Sequence, residues 1–209
     1  MALSLLFPTS IWTNNIYAGL SKFNTDLRRE CYQFETLDLP GQEWSKTRYL
    51  GGYTSYGSIT NLHVLSPTFA ALKDKIDQEV YAFARQLQMD FAGRPPRRAL
   101  QMNSLWINIM PFGVVHTGHI HPLSVISGTY YVQVPRGSSG LKFEDPRLGF
   151  YMNTPPRKEG AKPRNQWFVE IHSQAGSIVL FESWLRHEVP PNAVDEDRVS
   201  VSFNYGWQD

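Results

Sequence analysis

Arg198-Val199-Ser200-Val201-Ser202-Phe203-Asn204 alternates strictly between polar and apolar side chains, and Tyr205 continues the pattern. Residues two apart on an extended chain share a face, so Arg198, Ser200, Ser202 and Asn204 stand opposite Val199, Val201, Phe203 and Tyr205. In a simple sandwich one face of such a strand is core and the other meets water. In a jelly roll that encloses a pocket, the polar face instead lines a site.

The segments upstream favour the second arrangement. From Met102 onward, short runs rich in Ile, Val, Tyr, Phe and Trp alternate with Gly, Pro and Asn clusters, which predicts successive antiparallel strands. The expected strands are Ser104 to Met110, His116 to His121, Thr129 to Val134, Leu141 to Phe143, Trp167 to His172, Ser177 to Phe181 and Val199 to Tyr205. So many strands in this length suit a mainly β fold, a double-stranded β-helix (jelly roll), over about residues 101–209. Gly149 to Asn165, with Pro155, Pro156 and Pro163, reads as a long surface loop of the kind that forms lids.

Before residue 100 the texture is helical support. Ser66-Pro67 predicts an N-cap, and Phe69, Leu72, Ile76, Val80, Phe83 and Leu87 recur at helical spacing, giving a helix over about 67–90 ended by Gly93, Pro95 and Pro96. A second helix is expected from about Tyr17 to Thr36, followed by a polar stretch through Gly51, Gly52 and Gly57. Leu3 to Phe7 reads as an edge strand or packing arm. A chain of 209 residues suits one domain, 1–209, with no second catalytic unit.

Twenty basic against nineteen acidic residues give a net charge of +1, so no long-range field draws the chain to nucleic acid or an anionic membrane. Arg94, Arg97 and Arg98 read as a solvated loop. The single cysteine, Cys31, excludes an internal disulfide and a multi-cysteine zinc site. With no stretch approaching the roughly 20 apolar residues of a membrane span, the expectation is a cytoplasmic protein.

The chemistry concentrates in His119-Ile120-His121, whose two imidazoles project from one face of a strand and can share a metal. His187, closing Phe181-Glu-Ser-Trp-Leu-Arg-His, offers a third. Imidazole suits iron, zinc, copper or nickel, and a three-ligand facial set leaves positions open for a bidentate cosubstrate and dioxygen. Arg198 supplies a planar fork for a carboxylate, with Ser200 able to add a donor. His116, an odd number of residues from His119, falls on the opposite face of a regular strand. Trp106 and Trp184 read as core or as walls of the site, and His63 and His172 as structural or exposed.

This order of motifs resembles the 2-oxoglutarate- and Fe(II)-dependent oxygenase superfamily, and more narrowly a group with His-x-His-Pro, Ser-Gly-x-Tyr-Tyr-Val, Phe-x-Asp-Pro-Arg and Ser-x-Ser-Phe-Asn. Here these are His119 to Pro122, Ser127 to Val132, Phe143 to Arg147 and Ser200 to Asn204. Gly51-Gly52-Tyr53-Thr54-Ser55 resembles that group as well. The resemblance implies Fe(II) on His119 and His187, the far carboxylate of 2-oxoglutarate on Arg198 and Ser200, cosubstrate contact by Tyr131, and a lesser candidate in Asn108. It further implies a hydroxylase that couples oxidative decarboxylation of 2-oxoglutarate to oxidation of a small-molecule or peptidyl substrate by dioxygen.

The departure is His121, where most of the superfamily has Asp or Glu. Glu144, Asp145 and Glu182 are carboxylates in the region, but none stands at the motif position. Two rivals remain: a three-histidine cupin dioxygenase that uses no 2-oxoglutarate, and a non-catalytic metal-binding jelly-roll module. The substrate is not named by the sequence, and a homodimer is left open.

Overall fold

The computed structural model describes residues 2–17 and 21–208. Among the described residues five helices, α1 (Lys22–Leu37), α2 (Leu39–Arg48), α3 (Leu62–Leu65), α4 (Pro67–Gln86) and α5 (Pro96–Ala99), lie in the first half of the chain. Ten strands follow or interleave them: β1 (Ile11–Asn15), β2 (Tyr53–Thr54), β3 (Leu100–Met110), β4 (His116–His119), β5 (Ile126–Gln133), β6 (Leu141–Glu144), β7 (Phe168–Ile171), β8 (Ser177–Glu182), β9 (His187–Val189) and β10 (Arg198–Trp207). They form a six-stranded sheet, β1-β8-β5-β10-β3-β2, and a four-stranded sheet, β4-β9-β6-β7. Every pairing between these strands is antiparallel, the jelly roll the sequence predicts.

The alternation of β10 explains the layering. Val199, Val201, Phe203 and Tyr205 belong to a core shared with Ile107 and Ile109 of β3, Tyr130 and Val132 of β5, and the stripe Phe69, Leu72, Ile76, Val80 and Phe83 of α4. The opposite face of the large sheet looks toward the small sheet, where Met110, Tyr131, Phe181, Phe143 and Val189 make a second apolar cluster. Arg198, Ser200 and Ser202 are on this inner face.

Several expected boundaries move for physical reasons. Helix α4 stops at Gln86, short of 90, because Gln88 adopts a left-handed φ of 56° and turns the chain away. Helix α1 starts at Lys22, behind Ser21, whose hydroxyl accepts from the Asn24 amide. Tyr17 is not helical, and residues 18–20 of that expected helix lie outside the described residues. Leu3 to Phe7 is neither strand nor packed arm but irregular and exposed. The sheet edge goes to β1, which pairs along β8 and fastens to α4 through the Trp12 indole donating to Glu79 at 2.7 Å. Helix α2 and strands β1, β2 and β9 fall where the sequence predicted no element. Among the described residues no helix is long and apolar enough to cross a membrane.

Candidate metal and cosubstrate site

Between the sheets, His119 of β4, His121 just beyond it and His187 of β9 converge, with one ring nitrogen from each lying within 4.8 Å of the others. The small sheet builds this directly, since β4 and β9 pair with His119 opposite His187. His121 is held by its own backbone, whose amide donates to the Ser183 carbonyl at 3.0 Å.

Two of the rings are fixed by the main chain. The Nδ1 atoms of His119 and His187 lie 2.7 Å and 2.8 Å from the carbonyls of Thr117 and Leu185. A carbonyl only accepts, so each Nδ1 carries the proton and each Nε2 presents a lone pair, the tautomer a metal requires. Burial then keeps the rings neutral: it holds His119 below the ordinary range and pushes His121 down to about 4 and His187 to about 2. The site is thus a preformed set of neutral imidazole donors, fitted to a divalent ion.

No carboxylate joins the set among the described residues. Glu144 pairs with Arg186 at 3.3 Å, and Asp145 accepts from Arg147 at 2.8 Å. The latter contact explains Phe-x-Asp-Pro-Arg as a structural turn. Ser-Gly-x-Tyr-Tyr-Val has a similar explanation in part: Ser127 donates to Asn204 at 2.7 Å, tying β5 to β10.

His116 corrects the sequence expectation. It does not face away from His119; the rings stack, with centroids 4.4 Å apart and planes at 19°. A register shift between the two residues places three steps of β4 against two of β9, from Val189 to His187. This bulge turns His116 to the face of the clustered histidines.

Arg198 lies deep in the same cleft, 2% exposed. Its Nη1 reaches only the Met110 sulfur, at 3.5 Å, and its Nε has no partner. Tyr131 lies beneath it, the guanidinium carbon 5.0 Å from the ring centre, and the buried Tyr131 hydroxyl is also without a partner. Tyr49, which sequence reasoning missed, lines the cleft with a second such hydroxyl, and burial raises its pKa while Arg198 opposes the rise. The glycine motif places it: Gly51 has φ 82°, and a Cβ on Gly52 would stand 2.8 Å from both the Ile109 carbonyl and the Tyr49 ring. Buried polar atoms without partners are costly. Two hydroxyls and a guanidinium fit an anionic carboxylate.

Ser200 lines the cleft beside Arg198. Asn108 does too, but its amide is satisfied within the protein, accepting from Thr54 at 2.9 Å and donating to Ser202 at 3.0 Å. Trp106 walls the cleft, whereas Trp184 is half exposed, neither core nor wall. His63 is partly buried and His172 is exposed; neither reaches the cluster.

Residues 104–204 match the family model described as "Putative 2OG-Fe(II) oxygenase". No curated protein matches the sequence. Among solved structures, the chain is similar to the non-heme alpha ketoglutarate dependent epimerase SnoN from nogalamycin biosynthesis, with 14% identity, a TM-score of 0.63, and coverage of 95% of this chain and 76% of that one. It is similar to a Pseudomonas putida prolyl-4-hydroxylase at 13% identity and TM-score 0.62, covering 96% and 94%. HygX from Streptomyces hygroscopicus, solved with nickel, 2-oxoglutarate and hygromycin B bound, is similar at 15% identity and TM-score 0.60, covering 96% and 84%. These likenesses carry the fold, and the matched segment contains all three clustered histidines and Arg198. Through residues 104–204, just under half of its length, the chain is similar to the 2OG-Fe(II) oxygenase family, and it shares the fold of solved structures of such oxygenases.

Proposed function

We propose that the protein is a hydroxylase in which His119, His121 and His187 hold Fe(II) through their Nε2 or equivalent free nitrogens, and Arg198 pairs with the far carboxylate of 2-oxoglutarate. The observation that carries this reading is a fully buried arginine without a carboxylate partner in the same cleft as three neutral imidazoles. Burying a charge unpaired costs several kcal/mol or more, and a dianionic keto acid offsets that cost. Tyr131, Tyr49 and Ser200 supply further donors to the same carboxylate. Asn108, its hydrogen bonds already made, positions Ser202 and Thr54.

When bound, iron and 2-oxoglutarate supply oxidative decarboxylation with dioxygen and thereby the oxidising power for a substrate C–H bond. The chain's own residues fix the imidazole tautomers, hold the carboxylate and exclude water. Free space between Arg198 and the histidines is about 20 Å³, room for about one water. Residues 1–209 act together in this reading, because α2 and the segment after it bring Tyr49 and Thr54 to a cleft built by the strands.

A three-histidine cupin reaction without 2-oxoglutarate leaves Arg198 with no role. The test is incubation under ¹⁸O₂ with a pool of small metabolites, Fe(II) and 2-oxoglutarate. A product gaining one labelled oxygen, with succinate formed in step, supports hydroxylation; a product changed without gain of label contradicts it.

A further inference from the structure

We propose that the vestibule outside the histidines is the substrate site, and that it selects a compact anionic molecule with a flat apolar body, a carboxylate-bearing aromatic being the simplest example. This rests on the hydroxylase reading above and names the substrate class for the same centre.

The vestibule has a volume of about 270 Å³, at or just below the low end of small-molecule pockets, about 300–1,000 Å³. Its wall is a continuous aromatic series. Trp44 meets Tyr56 at 6.2 Å, Tyr56 meets Trp106 at 5.1 Å, and Trp106 meets His121 at 5.8 Å between ring centres. A flat apolar body stacked along that series is carried to the metal histidine at its end. Two of its polar side chains are engaged within the protein, Thr54 donating to Asn108 and Asn204 accepting from Ser127.

Charge decides between the two ligands an aromatic wall favours. Rings attract cations, but no carboxylate lines the vestibule, and Arg48 does. Arg48 stands one helical turn after Trp44, on the same face of α2. Among the described residues no ion pair or side-chain hydrogen bond occupies it, whereas Lys46 on the same helix is taken by Glu43 at 2.7 Å. Three neutral imidazoles leave the iron its full charge, so with Arg198 present the centre remains cationic even when the dianion is bound. An anionic group at Arg48 is attracted by both, and an ammonium is repelled by both.

The experiment measures dissociation constants of three probes for the anaerobic protein loaded with Fe(II) and 2-oxoglutarate: 3-phenylpropionate, 3-phenylpropan-1-ol and 3-phenylpropylamine. The expected order is propionate tighter than alcohol by about tenfold, or about 1.4 kcal/mol, with the amine weakest. Arg48→Gln removes the propionate's advantage and leaves the alcohol unchanged, and Trp44→Ala weakens both. Tightest binding by the amine, an Arg48→Gln variant that binds as wild type does, or displacement of the propionate by added 2-oxoglutarate would each overturn the assignment. If 2-oxoglutarate itself does not bind, the hydroxylase reading fails separately, and the Arg48→Gln comparison, run without it, still decides where an anion sits.

Discussion

The guanidinium carbon of Arg198 lies 5.0 Å above the ring centre of Tyr131, and both side chains are almost wholly buried. A desolvated cation–π contact is worth about 2 kcal/mol. The effective cost of burying an ion is several kcal/mol, so the ring alone does not offset it. In the proposed reading the arginine is a site for an anion, maintained at the expense of the ligand-free protein.

Arg198→Met is therefore expected to unfold at the same temperature as wild type or higher when no ligand is present. The wild type should gain about 2.7 kcal/mol from 2-oxoglutarate at a hundred times its dissociation constant, and the variant should gain none. Thermal unfolding of both proteins with and without 2-oxoglutarate reads this. A ligand-free variant several degrees less stable would show that the arginine is a structural residue.

His187→Ala should lose iron on gel filtration, because it removes a ligand whose tautomer the Leu185 carbonyl has already set. His121→Asp should keep iron, and bind it more tightly, since a carboxylate cancels one positive charge at the centre. Metal content after desalting distinguishes them. Unchanged iron in His187→Ala would mean that the ligand set is wrong.

Burial pushes His116 to about 3, His121 to about 4 and His187 to about 2, from an ordinary 6.5. Each is neutral when folded and takes a proton near pH 6.5 when unfolded, so the unfolded chain binds more protons below that pH. Stability of the metal-free protein is full above about pH 6.5 and declines as pH falls toward about 4 and beyond. Denaturant midpoints between pH 8 and 4.5 should be flat and then fall. A midpoint that rises on acidification would contradict the burial of these rings.

Gly128 of β5 is a packing requirement. An added Cβ would lie 2.6 Å from Leu180 and Phe203 side-chain atoms and 2.7 Å from the Val179 carbonyl. Backbone does not yield, so Gly128→Ala should cost about 1–3 kcal/mol through overpacking. Chemical denaturation measures it, and a neutral result would mean that β5 and β8 part more easily than this packing implies.

Much of this was legible in the sequence wherever a period was long enough to count. The β10 alternation predicted an apolar core face and, in a jelly roll, a polar face lining a site, and His119, His121, His187 and Arg198 do fall in one cleft. What escaped detection depended on partners distant in sequence. His116 followed the rule for a regular strand and was assigned to the wrong face, because a bulge is a property of two strands and β9 is only His187–Val189. Tyr49 sits in a polar stretch with no periodicity, and only the close approach of Gly52 to β3 delivers it. Trp184 is apolar in composition yet exposed, since the turn before His187 serves the histidine.

The most direct test is anaerobic titration of the Fe(II)-loaded protein with 2-oxoglutarate, watching for the weak visible charge-transfer absorption that marks chelation of iron by a keto acid. The band should appear and saturate in wild type, and Arg198→Met, loaded with the same iron, should require far more 2-oxoglutarate to show it. Full iron occupancy with no band in wild type, or a band that saturates identically in the variant, would contradict the pairing of Arg198 with the cosubstrate.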